Sequence, residues 1–200
     1  MAFVAVAARS AVLASRPFCP RVCPRRSLFT APRTASLRPS PTPHRALFSP
    51  PKMLAEGQPA PDFDRVDGDG NRIKLSELRG QNVILYFSNL AGPGCTSQSC
   101  TFRDAAEHFV NLNARVIAVS AQSDQKSADF KRINRLPFSV ISDVDKQLQK
   151  LYNVPSTFGL IPGRVTFVID KQGVVRKVFN SQFNATQHVA VAKETLSSLN

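Results

Sequence analysis

From Gly57 to the C-terminus the chain switches repeatedly between two hydrophobic periods, and the switches mark out the elements of a compact domain. Asp62-Phe63-Asp64-Arg65-Val66 alternates polar with apolar, Asp67-Gly68-Asp69-Gly70-Asn71 reads as a turn, and Arg72-Ile73-Lys74-Leu75 alternates again, which predicts an N-terminal hairpin. Asn82-Val83-Ile84-Leu85-Tyr86-Phe87 is a nearly continuous apolar run, the pattern of a strand covered on both faces. Phe102, Ala105, Ala106, Phe109, Val110 and Leu112 then recur near helical spacing and predict one helix over Thr96–Asn113. Arg115–Ser120 reads as a second buried strand, and Ser123 as the cap of a helix reaching Arg135 with Phe130 and Ile133 facing inward. A short strand over Phe138–Ile141 and a short helix over Asp145–Tyr152 follow. Val165–Ile169 and Val174–Phe179 form a hairpin about Asp170-Lys171-Gln172-Gly173, and Asn184 opens a closing helix that ends near Leu199. This order predicts an α/β domain whose central sheet is flanked by helices on both faces. Its length of about 140 residues supports one core burying roughly 68% of the unfolded surface.

The first quarter of the chain has neither period. Up to Ala55 there is no Asp or Glu, while eight Arg and one Lys fall in the same span. The net charge of +12 is therefore concentrated in this leader, and it does not point to a nucleic-acid-binding surface. Nine of the 15 prolines lie between Pro17 and Pro51, a density that forbids helix interiors and ladder hydrogen bonds. An acid-free, Arg-, Ser- and Pro-rich N-terminus has the composition of an organelle transit peptide. Residues 1–53 are expected to be a disordered transit peptide and residues 54–200 the mature domain, in the plastid or, alternatively, the mitochondrion. A secretory reading of Ala2-Phe3-Val4-Ala5-Val6-Ala7-Ala8 is the third address; the run is too short to span a bilayer and Arg9 closes it. Cys19 and Cys23 fall in the leader with no His or second cysteine pair nearby, so they read as discarded residues and not as half a metal site.

Two cysteines remain, Cys95 and Cys100, in Gly92-Pro93-Gly94-Cys95-Thr96-Ser97-Gln98-Ser99-Cys100. Cys95 stands where the loop after an apolar strand turns into a helix, facing the unpaired amides and the positive dipole end of that helix. Such surroundings favour thiolate over thiol, which is how a protein makes a reactive cysteine. An ordinary thiol, with a pKa of about 8.5, is only a few per cent ionised at neutral pH. Moving it by about two units corresponds to about 2.7 kcal/mol. A helix N-terminus supplies about 0.5 to 2 kcal/mol of that, so a cation is needed as well.

Gly57-Gln58-Pro59-Ala60-Pro61-Asp62-Phe63 resembles the opening of the peroxiredoxins. Pro93-Gly94-Cys95-Thr96, with Cys100 and Phe102-Arg103-Asp104 after it, is similar to the active-site segment of their peroxiredoxin Q (bacterioferritin comigratory protein) branch. Leu160-Ile161-Pro162-Gly163-Arg164-Val165-Thr166-Phe167 and Asn180-Ser181-Gln182-Phe183 extend the resemblance to nearly the whole mature domain. It implies a thioredoxin-like fold and a thiol peroxidase acting on hydrogen peroxide or alkyl hydroperoxides without cofactor or metal. Cys95 would attack the peroxide, Cys100 would resolve the sulfenic acid as an intramolecular disulfide, and thioredoxin would reduce that disulfide. Arg164 would supply the cation beside the sulfur; Arg suits the task because it stays charged and offers several donors. The resemblance also implies a monomer. Five residues along a helix correspond to a rise of about 7.5 Å and a rotation near 140°, hence a Cα separation of about 8 to 9 Å. A disulfide tolerates about 7 Å, so the pair can bond only after the first helical turns unwind.

The family carries Pro seven residues before the reactive cysteine and Thr or Ser three before it, the hydroxyl orienting the peroxide. Here Ser88 and Gly92 stand at those positions, with Ser88 and Thr96 as alternative sources of a hydroxyl. Two readings of other classes therefore accompany the enzyme: a thioredoxin-fold redox sensor or binding protein with weakened peroxidase activity, and a copper-binding relative using the two thiols and a His. His108 is expected on a solvated helix face, His188 as a surface or packing residue, and Asn184-Ala185-Thr186 as a helix cap. Asp67–Asn71 lacks the later glutamate of a calcium loop and reads as a hairpin turn. No Ser-His-Asp arrangement, phosphate loop, zinc cluster or membrane-spanning segment appears in the sequence.

Overall fold

The computed structural model describes residues 54–90, 92–157 and 161–199. The transit-peptide reading of residues 1–53, with Cys19 and Cys23, lies outside the described residues. In chain order the elements are β1 (Asp64–Val66), β2 (Arg72–Lys74), β3 (Asn82–Phe87), α1 (Pro93–Asp104), α2 (Ala106–Asn111), β4 (Ala114–Ser120), α3 (Asp124–Asn134), β5 (Ser139–Ser142), α4 (Gln147–Leu151), β6 (Ser156–Thr157), β7 (Ile161–Pro162), β8 (Val165–Ile169), β9 (Val175–Asn180) and α5 (Gln187–Leu199).

Five strands form the central sheet in the order β5-β4-β3-β8-β9. It is mixed: β3 runs parallel to β4 and antiparallel to β8. All six residues of β3 are buried because successive side chains enter different cores. Val83, Leu85 and Phe87 join Ile117, Val119, Phe167, Leu148 and Tyr152 on one face. Ile84 and Tyr86 join Phe102, Phe109, Val189, Ala192 and Leu196 on the other. Helices α1, α2 and α5 cover that second face, so the unbroken apolar run of β3 follows from its central place in a two-sided sheet. The N-terminal hairpin is present, with Arg65 opposite Ile73. Its turn is held by Asp67 Oδ1, which accepts from the amides of Asp69 at 3.0 Å and Asn71 at 2.9 Å, while Gly70 takes φ +86°.

Four expectations need correction. The helix over Thr96–Asn113 is two helices, broken at Ala105 with φ −96° and ψ 0°. One turn earlier Thr101 Oγ1 donates to the Ser97 carbonyl at 2.8 Å, the kind of back-bond that bends helices. Ile133 does not face inward; it is 72% exposed. The inner stripe of α3 runs through Ser127, Phe130 and Asn134 at i, i+3 and i+7, and Ile133 falls outside it. Ser123 occupies the cap position of α3 but its hydroxyl makes no cap bond. Helix α5 starts at Gln187, three residues beyond Asn184, and α4 is anchored by a residue outside the expected helix. There Asp143, fully buried, accepts from the amides of Leu148 and Gln149, both at 2.9 Å.

Candidate active site

The site is assembled where β3 ends, α1 begins and β8 starts. The loop after β3 is pinned to its neighbours: the Ser88 amide donates to the Val119 carbonyl at 3.0 Å, and Gln122 Nε2 reaches both the carbonyl and the Oδ1 of Asn89 at 3.2 Å. Leu90 is held at φ +49°, a left-handed conformation uncommon for a non-glycine residue, and its side chain is buried. Gly92 is then the N-cap of α1 with Pro93 directly after it. Proline suits that place because its missing N–H would be unpaired in any case.

Cys95 is thus in the first turn of α1, its amide donating to the Gly92 carbonyl at 2.9 Å. Its Sγ lies 3.2 Å from Arg164 Nη2, and both residues are only 8% exposed. Arg164 Nη1 also donates to the Gly94 carbonyl at 3.1 Å, so the guanidinium straddles the start of the helix. Gly94 permits this approach: a Cβ there would stand 3.2 Å from Arg164 Nη2. On the other side, Gly163 donates to the Pro155 carbonyl at 2.8 Å, and a Cβ at 163 would come within 2.1 Å of that oxygen. The chain can therefore turn into Arg164 only through a glycine.

Beneath the site Tyr86 stacks on Phe102 with centroids 4.6 Å apart, and its hydroxyl meets Ser99 Oγ at 3.0 Å. Burial, with smaller contributions from charge at Cys95 and Cys100, pushes the phenol well above its ordinary range, so it stays neutral. The Arg164 guanidinium thus stands against the Cys95 sulfur at the amide end of α1.

Cys100 is on the same unbroken helix but faces elsewhere. Its Sγ approaches Asn134 Oδ1 at 3.9 Å at the end of α3, and Arg103 Nη1 donates to the Asn134 carbonyl at 2.9 Å. Both cysteines are free thiols. The structure therefore brings Cys95 and Arg164 together, and leaves Cys100 apart on the α3 side of the helix.

The remaining candidates separate cleanly. His108 is exposed, with its ring against Phe109. Thr96 Oγ1 is directed at the Gly92 carbonyl, 3.3 Å away, and Ser88 Oγ is buried without a hydrogen-bond partner. His188 is a packing residue, wholly buried, with Thr166 Oγ1 2.8 Å from Nδ1 and the Ser181 carbonyl 2.9 Å from Nε2. Burial, aided by the nearby Arg164 charge, pushes its imidazole down to about 4. Gln182, which sequence reasoning gave no role, accepts from the Arg164 amide at 3.0 Å. No local pattern marks such a contact across 18 residues.

Residues 56–178 match the AhpC/TSA family. Peroxiredoxin Q, chloroplastic, from Oryza sativa subsp. japonica is 36% identical over 191 residues, covering 87% of this chain and 88% of the rice protein. Peroxiredoxin Q, chloroplastic, from Suaeda salsa is 38% identical over 168 residues, 83% of this chain and 78% of that one. Among solved structures, the peroxidoxin BcpB of Mycobacterium tuberculosis superposes with a TM-score of 0.67 at 30% identity, covering 72% of this chain and 97% of the other. With a cysteine at the head of the helix after the central strand and a thioredoxin-like mixed sheet behind it, the chain belongs to the AhpC/TSA family, in its peroxiredoxin Q branch.

Proposed function

We propose that this protein is a plastid thiol peroxidase in which Cys95 is the peroxidatic cysteine, Cys100 resolves it and Arg164 is the catalytic cation. The observation that carries the reading is the guanidinium 3.2 Å from a sulfur in the first turn of α1. The Cys95 thiolate attacks one peroxide oxygen; the S–O bond forms, the O–O bond breaks, and the leaving hydroxide or alkoxide takes up a proton and departs as water or alcohol. Arg164 opposes the charge passing from sulfur to the departing oxygen. Cys100 then attacks the sulfenic acid sulfur, forming the Cys95–Cys100 disulfide and releasing water. A thioredoxin-type dithiol returns both residues to thiols by exchange. The names of the plant relatives and the acid-free leader support a plastid address and removal of a transit peptide over residues 1–53. The working form is taken to be a monomer.

The experiment is to mix the reduced mature domain with one equivalent of hydrogen peroxide in a stopped-flow instrument and map the product by peptide mass spectrometry. The expected product is a Cys95–Cys100 disulfide formed far faster than a free thiol oxidises. A disulfide formed only at the free-thiol rate would turn the assignment toward a redox sensor, a reading favoured by the absence of a hydroxyl at position 92.

That absence can be repaired. Gly92 has φ −151°, an extended conformation open to any residue, and a Cβ there meets nothing within 4 Å. Gly92→Thr is expected to raise the second-order rate with hydrogen peroxide by about tenfold, the effect of one ordinary added hydrogen bond of about 1.4 kcal/mol. A threonine N-cap gains only a few tenths of a kcal/mol over glycine, so the melting temperature should hardly move. An unchanged rate would mean that the peroxide is already oriented by other groups.

A further inference from the structure

Arg164 precedes the first residue of β8, and its side chain holds station only as well as its backbone does. Both of its peptide groups are tied to one short segment beyond β9. The Ser181 amide donates to the Arg164 carbonyl at 3.2 Å, and the Arg164 amide donates to Gln182 Oε1 at 3.0 Å. The first bond continues the β8–β9 ladder past its last regular pair, Val165 with Asn180, and the second adds a side-chain tie just beyond it.

The 181–182 segment is in turn fastened by the buried imidazole of α5. The Ser181 carbonyl can only accept, so His188 Nε2 carries the proton and donates to it at 2.9 Å. Nδ1 is then the acceptor, and it faces Thr166 Oγ1 at 2.8 Å, two residues along β8 from Arg164. Phe179 packs edge-on against the ring with centroids 4.7 Å apart, which fixes its tilt. The imidazole bridges β8 to the segment that clamps Arg164, and its depressed proton affinity keeps it neutral at working pH.

We propose that His188 and Gln182 are positioning residues for Arg164: the imidazole locks the 181–182 segment to β8, Gln182 holds the arginine backbone, and the pair aims the guanidinium at the Cys95 sulfur. Neither touches the sulfur. Displacement of a group by about 1 Å at a reacting centre costs up to about a hundredfold in rate, and positioning through these bonds works on that scale. The inference rests on the proposed role of Arg164, and the experiment separates the two.

The measurement is the second-order rate of Cys95 oxidation by hydrogen peroxide, with iodoacetamide alkylation of Cys95 as a readout independent of peroxidase chemistry, and urea denaturation to follow the fold. His188→Phe keeps a ring but removes both hydrogen bonds, and Gln182→Leu keeps bulk but removes the acceptor for the Arg164 amide. Each is expected to slow peroxide oxidation by about tenfold or more. His188→Gln retains one donor and one acceptor and should recover most of the rate. In an Arg164→Gln background, His188→Phe and Gln182→Leu should change the rate no further, because a residue acting only through the guanidinium has nothing left to aim. Should His188→Phe fail to fold, Gln182→Leu carries the test alone, being in a loop. Wild-type rates in folded Gln182→Leu, or losses that simply add to that of Arg164→Gln, would overturn the positioning proposal. An Arg164→Gln rate equal to wild type would instead remove the reading beneath it.

Discussion

Arg164→Gln is expected to slow the reaction of Cys95 with hydrogen peroxide by about a hundredfold to a thousandfold, the usual consequence of deleting a preorganised donor to developing charge. The helix N-terminus contributes about 0.5 to 2 kcal/mol toward charge at the sulfur. A unit charge 3.2 Å away interacts with about 5 kcal/mol at an effective dielectric constant near 20, so the guanidinium is the larger effect. Glutamine retains N–H donors but no charge, and cannot span both the sulfur and the Gly94 carbonyl as the fork of Arg164 does. Arg164→Lys should fall between the two, since an ammonium restores charge without the planar fork. The check is stopped-flow oxidation of the reduced mature domain, each variant compared at equal pH. A rate for Arg164→Gln within about threefold of wild type would leave the helix end as the sole activator of Cys95.

The sheet was legible from sequence because its signal is local. The β3 run, the β1–β2 hairpin turn and the β8–β9 hairpin each depend on neighbours in the chain. The relation of Cys95 to Cys100 was legible for the same reason, being set by the repeat of one helix. Arg164 is 69 residues from Cys95, and no periodicity joins them; only the resemblance of its surrounding motif brought the two together. The sequence leaves His188 between surface and packing. Its place one helical turn before Ala192 and two before Leu196 puts it on the buried face of α5, and that stripe selects packing. Ile133 shares helical spacing with Phe130 but falls outside the stripe through Ser127 and Asn134, and is therefore exposed. Gln182 and Asp143 act through backbone amides brought near by tertiary folding, and such contacts leave no pattern in composition or spacing.

Cys100→Ser is expected to leave the first oxidation of Cys95 nearly unchanged and to reduce thioredoxin-coupled turnover by about a hundredfold or more, since the step that makes the reducible disulfide is lost. One equivalent of peroxide should be consumed, after which the sulfenic acid at Cys95 accumulates and can be trapped by dimedone. The proposed route requires α1 to unwind, because Cys95 faces Arg164 while Cys100 is held toward Asn134. The sequence between the cysteines makes that opening cheap: Thr96, Ser97, Gln98 and Ser99 contain no apolar side chain, so little hydrophobic burial is lost. What must break is mostly polar: the Arg164 contact with Cys95, the Ser99 contact with Tyr86, the Cys100 contact with Asn134, the bonds of Thr96 and Thr101 to the Gly92 and Ser97 carbonyls, and the backbone bonds of the first turns. Phe102, wholly buried and stacked on Tyr86, marks where unwinding becomes costly, since releasing it would expose a full aromatic side chain. Opening should therefore stop just past Cys100, which is as far as the disulfide requires. Persistent turnover of Cys100→Ser in a protein lacking residues 1–53 would sink this scheme. Cys95 would then be the sole cysteine left in the chain, and resolution would have to come from a second molecule.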